Sequence, residues 1–143
     1  MKKDFIRDYA TAAFRFYASR GQPCAEDEEI CIRTQSAQDH CFFPPQEVLE
    51  KAEADVKRQT AALLDILAVD STKKLLSQNG RGFVWRAVEI VYCEDASSPL
   101  HKNDLTRRVT CASRILGVSE SNVYRFLREA RKLFASFRGL RLS

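Results

Sequence analysis

The chain has 143 residues, 45% of them apolar and 29% charged, with a net charge of +4. This is an ordinary globular balance, sufficient for one compact domain or two very small ones with a real core. No run approaches the roughly 18 consecutive apolar residues of a membrane helix. The basic start Met1-Lys2-Lys3 is not followed by the apolar stretch of a signal peptide, so a cytoplasmic protein with no membrane contact is expected.

In chain order, Phe5, Tyr9, Ala13 and Phe16 recur at helical spacing, with Ile6 and Tyr17 widening the stripe. They predict a helix from Lys3 to Arg20, stopped by Gly21 and Pro23. Phe14 lies off this stripe and needs a second surface. Between Cys24 and Pro45 only Ala25–Arg33 reads as a short helix, with an acidic start that suits the helix dipole. Pro44-Pro45 interrupts the chain and opens a long helix to Ala68. Along it Leu49, Ala52, Val56, Leu63 and Leu67 keep near-heptad spacing, with Thr60 at the missing step. Such a seam packs on another helix, in the same chain or in a second copy, which leaves a homodimer open. Asp70 is expected to cap a shorter helix ending near Gln78, with Asn79-Gly80 as the stop. Phe83, Ala87, Val88 and Val91 predict a helix to Cys93, and Glu94–Pro99 reads as a loop. No alternation of strand period, internal repeat or low-complexity tract appears. The expectation is an all-α helical bundle with a C-terminal helix-turn-helix.

The cysteines, Cys24, Cys31, Cys41, Cys93 and Cys111, are odd in number and read as free thiols. Cys24, Cys31, His40 and Cys41 crowd together, but without a CxxC pair and with adjacent His-Cys they make an awkward tetrahedral set. No metal or cofactor is expected. With two histidines and no glycine-rich phosphate loop, no catalytic arrangement stands out either, so an enzyme is not expected.

Charge is unevenly placed. Residues 1–70 hold nine Lys/Arg against thirteen Asp/Glu, and residues 71–143 hold fourteen against six. A basic half joined to an acidic half suggests a phosphate-facing module beside a module for another partner. The predicted division is therefore residues 1–80, for dimerisation or partner binding, and residues 81–143, for nucleic acid.

From Arg108 to Phe137 the sequence fits two helices joined by a tight turn. Ser113 is the small residue on the first helix, Gly117 permits the turn, and Val123 packs the second helix back. Ala112, Leu116, Val118 and Phe126 fill the remaining apolar positions, and Ser119 caps the second helix. Val123, Phe126, Leu127, Ala130, Leu133, Phe134 and Phe137 then form one apolar face, with Arg125, Arg128 and Lys132 along another. A helix of this width enters the major groove with its N-terminal residues at the base edges. Glu120, Ser121, Asn122, Tyr124, Arg125 and Arg128 are the expected base contacts, and Arg107, Arg108, Arg114, Arg131 and Lys132 the expected phosphate contacts.

The run Leu116 to Arg125 (LGVSESNVYR), followed by Arg128 to Leu133 (REARKL), resembles region 4 of bacterial sigma factors. That resemblance implies a helix, Ser119 to Leu133, that reads the −35 promoter element. Thr110 and Cys111 stand where that region has acidic residues, and the N-terminal half has no region 2, so promoter melting is not implied. Gly82 to Val91 (GFVWRAVEIV) with the segment that follows is similar to the effector domain of the sporulation response regulator of endospore-forming bacteria. This second resemblance implies a DNA-binding unit reaching back to Arg81, without the receiver domain and its aspartyl phosphorylation. The expected function is sequence-specific binding of double-stranded DNA to regulate transcription. The alternative is a helical adaptor that grips RNA polymerase or another protein without reading DNA.

Overall fold

The computed structural model describes residues 4–140, and every regular element among them is helical. The helices are α1 (Phe5–Ser19), α2 (Ala25–Asp39), α3 (Pro45–Arg58), α4 (Thr60–Gln78), α5 (Gly82–Val88), α6 (Asp104–Leu116) and α7 (Glu120–Arg138). A π-helical turn, Glu89–Cys93, extends α5. Among the described residues no helix is long and apolar enough to cross a membrane.

The buried face of α1 differs from the expected stripe. Ala10, Ala13, Phe14 and Tyr17 are buried, whereas Phe5 is 73% exposed and Tyr9 and Phe16 remain at the surface. Phe14 is thus the centre of the packing rather than an outlier. Its ring lies 5.9 Å from Tyr92 in a stacked pair, 6.0 Å from Trp85 edge-on and 5.7 Å from Phe134. Three later helical segments converge on one side chain, so the local periodicity of α1 could not reveal which face they would cover.

The segment after Gly21 is more helical than expected, since α2 continues to Asp39. Ile30 and Ile32 point to different sides, one 60% exposed and the other buried, so no apolar stripe marks this helix. Packing of α2 on α3 and α4 sustains it, with Ser36 buried. Glu28 is buried too, and the Arg20 guanidinium 2.7 Å away compensates its charge and fixes the α1–α2 corner.

The expected long helix from Pro45 is broken at Gln59, whose backbone (φ −102°, ψ 19°) leaves the α region. The Thr60 hydroxyl donates back to the Lys57 carbonyl at 2.7 Å. The break ends the seam: Ala52 is buried, but Leu49 and Leu67 are exposed. Asp70 caps nothing. It lies inside α4, accepting the Tyr17 hydroxyl at 3.2 Å and the Lys74 ammonium at 2.9 Å. Ile66, Val69 and Leu76 bury on either side of it, so α4 runs through to the Asn79-Gly80 stop.

One apolar core draws on α1, α4, α5, the π turn, α6 and α7. It crosses the expected division at residue 80, because α1 and α4 pack directly on α7. The α2–α3 hairpin contributes nothing to that core cluster and attaches mainly through α4.

Candidate nucleic-acid interface

Helix α6 begins after Asn103, which sits in the left-handed region at φ 71°. The Asp104 carboxylate accepts the His101 backbone N–H at 2.7 Å and lies 3.2 Å from the Arg107 guanidinium. These two contacts, the backbone bond first, hold its carboxyl below the usual range. Val109 and Ala112 bury the inner face of the helix.

The connection to α7 is three residues long, Gly117-Val118-Ser119. Gly117 takes φ 68°, a conformation that costs a side-chain-bearing residue about 1 kcal/mol, and its N–H donates to the Ser113 carbonyl at 3.0 Å. The Val118 N–H shares that acceptor at 3.2 Å, and the Ser113 hydroxyl donates to the Val118 carbonyl. Ser113 thus does more than leave room for α7, since its side chain ties both sides of the turn. Ser119 is extended and its Oγ accepts the Asn122 N–H at 3.2 Å, which caps α7.

Helix α7 has two distinct sides. Val123, Leu127, Ala130, Phe134 and Ala135 are buried, and Phe126 and Leu133 pack against the core edge. Ser121, Arg125, Arg128 and Lys132, at spacings of four, three and four, are exposed, with Tyr124 beside them at 46% exposure. Of the other expected base contacts, Asn122 is half-buried, and Glu120 is exposed while accepting the Thr110 hydroxyl at 2.9 Å. A buttress from the start of α5 supports the helix: the Phe83 ring meets Phe126 edge-on at 5.1 Å, and Arg81 lies 2.9 Å from Glu129.

The expected phosphate contacts divide. Arg107, Arg114 and Lys132 are exposed. Arg131 is half-buried and donates to the Tyr92 hydroxyl at 2.8 Å, which leaves its other nitrogens unassigned. Arg108 must be corrected. It is 8% exposed, and one nitrogen donates to the Glu94 carbonyl at 2.6 Å and the Val91 carbonyl at 3.2 Å. Carbonyls left bare where the π turn ends need a donor, and Arg108 supplies it from the inner face of α6. It cannot also reach a phosphate.

Arg15 of α1 makes a matching clasp, donating to the carbonyls of Tyr92 at 2.8 Å, Asp95 at 2.9 Å and Ser98. Burial first and the neighbouring Arg108 second lower its basicity. Together the two arginines tie the 94–103 connection to the bundle. Arg138 and Tyr9, at 2.7 Å each from Asp65, pin the end of α7 to α4 and α1. None of these contacts has a local signature, because each joins segments more than ten residues apart.

A groove of about 1050 Å³ runs between α1 and the α6–α7 pair, with Tyr124 and Arg128 on one wall and Arg7 and Phe16 on the other. The grouped cysteines and His40 lie on or beside α2, and among the described residues no three His, Cys, Asp or Glu side chains gather as a metal site. Comparison with protein-family models, curated proteins and solved structures found no match for the chain.

Proposed function

We propose that this protein binds double-stranded DNA in a sequence-specific manner, with α6, the Gly117 turn and α7 acting as a helix-turn-helix, and that it regulates transcription. The observation that carries this reading is the two-sidedness of α7. A helix buried along Val123, Leu127, Ala130 and Phe134 offers solvent a row of Ser121, Arg125, Arg128 and Lys132. The first half of α7 enters the major groove, where Arg125 and Arg128 suit the two acceptors of guanine and Asn122 suits adenine. Arg107, Arg114 and Lys132 meet phosphates and set register. This is a binding role, with no bond made or broken. Resemblance to sigma region 4 and to the sporulation effector domain points the same way, and a cytoplasmic location accords with it.

Selection of bound duplexes from a random library tests the proposal. An enriched site bound by purified protein is the expected result, and its symmetry reports whether two copies bind together. Recovery of a random pool at low salt overturns it.

A second reading, an adaptor for RNA polymerase or another protein, is favoured by the apolar residues displayed on the α2–α3 hairpin. Ile30 is 60%, Leu49 65% and Phe42 96% exposed. Retention of polymerase on immobilised protein after nuclease treatment would support it, and loss of polymerase on nuclease treatment would reject it.

A further inference from the structure

The groove beside α7 has a mixed lining, most of which DNA reading does not use. Its floor and walls are apolar where Phe16, Leu100, Leu105, Tyr124 and Leu127 meet. Arg7, Arg128 and Arg131 also line it, against a single carboxylate, Asp8, which already lies 3.5 Å from Arg7. Arg128 has no hydrogen-bond or ionic partner among the described residues, and Arg131 spends one nitrogen on Tyr92. Arg15, by contrast, has both terminal nitrogens on backbone carbonyls and shapes the wall. A volume of about 1050 Å³ is at the upper end of the range for small-molecule sites.

We propose that this groove binds a small amphipathic organic anion, its charged group on Arg128 and Arg131 and its apolar part on Phe16, Leu100, Leu105 and Tyr124. The charge balance selects an anion. The apolar floor selects a hydrocarbon or aromatic body over a bare phosphate, which would gain nothing there. Tyr124 and Arg128 belong both to the groove and to the exposed side of α7, so an occupant draws them away from bases. This regulatory consequence rests on the DNA-binding reading, whereas the binding site itself does not.

Decanoate is a suitable probe, titrated into isotope-labelled protein with amide shifts as the readout. Saturable shifts at Thr11, Phe16, Leu105 and Tyr124 are expected, with decanol and sulfate each at least tenfold weaker. Ala12, exposed on the groove wall, offers a block: Ala12→Trp should abolish the decanoate shifts while leaving the spectrum folded. Arg128→Ala, a surface change that cannot unfold the core, should weaken decanoate at least tenfold and decanol little. The absence of shifts with decanoate overturns the proposal, as does equal binding of decanol or of sulfate alone. Shifts at Thr11 and Phe16 produced by a duplex but not by decanoate make the groove part of a DNA footprint instead. Concentration-dependent broadening there without ligand makes it a contact with a second copy. In a parallel titration, decanoate should weaken duplex binding in the wild type and not in Ala12→Trp. If no duplex binds at all, the DNA reading fails while the decanoate shifts still decide the groove.

Discussion

The α2–α3 hairpin and the body formed by α1 and α4 to α7 are built of the same secondary structure and bury very different amounts of it. Helix α3 buries only Ala52, and α2 buries Glu28, Ile32 and Ser36, whereas α7 alone buries five residues, four of them in the common core. Charge divides along the same line. Residues 25–58 carry nine acidic against four basic side chains, and residues 104–138 carry three against eight. Stability therefore resides in the body, and the body also holds the cationic surface. The hairpin is a surface-rich attachment whose apolar residues are mostly on display.

The largest expected effect tests that contrast directly. Phe134 is fully buried against Tyr9 and Phe14, so Phe134→Ala should cost about 3–5 kcal/mol in urea unfolding. Leu49→Ala on the hairpin should cost under about 0.5 kcal/mol. Similar losses for the two would break the comparison.

Next in size is the separation of structural from surface arginines. Arg108→Ala should destabilise by about 1.5–3 kcal/mol, the range for hydrogen bonds from a charged donor, and should leave the salt slope of DNA binding unchanged. Arg125→Ala should do the reverse, costing about 1–3 kcal/mol in binding and relaxing preference at one base, with little change in stability.

The partly buried thiol of Cys93 gives an effect confined to high pH. Burial, and then the Glu89 carboxylate, push Cys93 from an ordinary 9.0 to about 12. The unfolded chain ionises first, so this contribution is complete below pH 9 and is lost as pH rises towards 12. Stability should fall by about 1.4 kcal/mol per pH unit from this group, and Cys93→Ala should flatten the curve. At neutral pH a disulfide reagent should label the exposed Cys31, Cys41 and Cys111 well before Cys93. The smallest effect belongs to the hairpin tip, where Phe42→Ser should leave both stability and DNA binding within error.

The charge contrast was legible in the residues, but the boundary between hairpin and body was not, since the common core crosses the expected division at residue 80. The α6–α7 turn was legible, because Gly117, Ser119 and Val123 act on neighbours within ten positions, and the structure gives each a local contact. Helix α1 was legible as a helix but not in its buried face, since Phe14 takes its environment from Trp85, Tyr92 and Phe134. The break at Gln59 carried no glycine or proline and interrupted a spacing that looked continuous. Arg108 looked like its basic neighbours because charge alone cannot distinguish a surface cation from one consumed by backbone carbonyls. The groove was invisible for the same reason as the aromatic core: its walls come from four separate stretches of chain.

Fluorescence anisotropy on a duplex recovered by selection, across a salt series, tests the central claim most directly when wild type is compared with the Arg125→Ala, Arg128→Ala double variant. The account predicts a steep loss of affinity with salt for the wild type. It also predicts an affinity for that site lowered by about tenfold or more in the double variant, with the preference for the selected site abolished. Equal affinity and preference in the two proteins would contradict it.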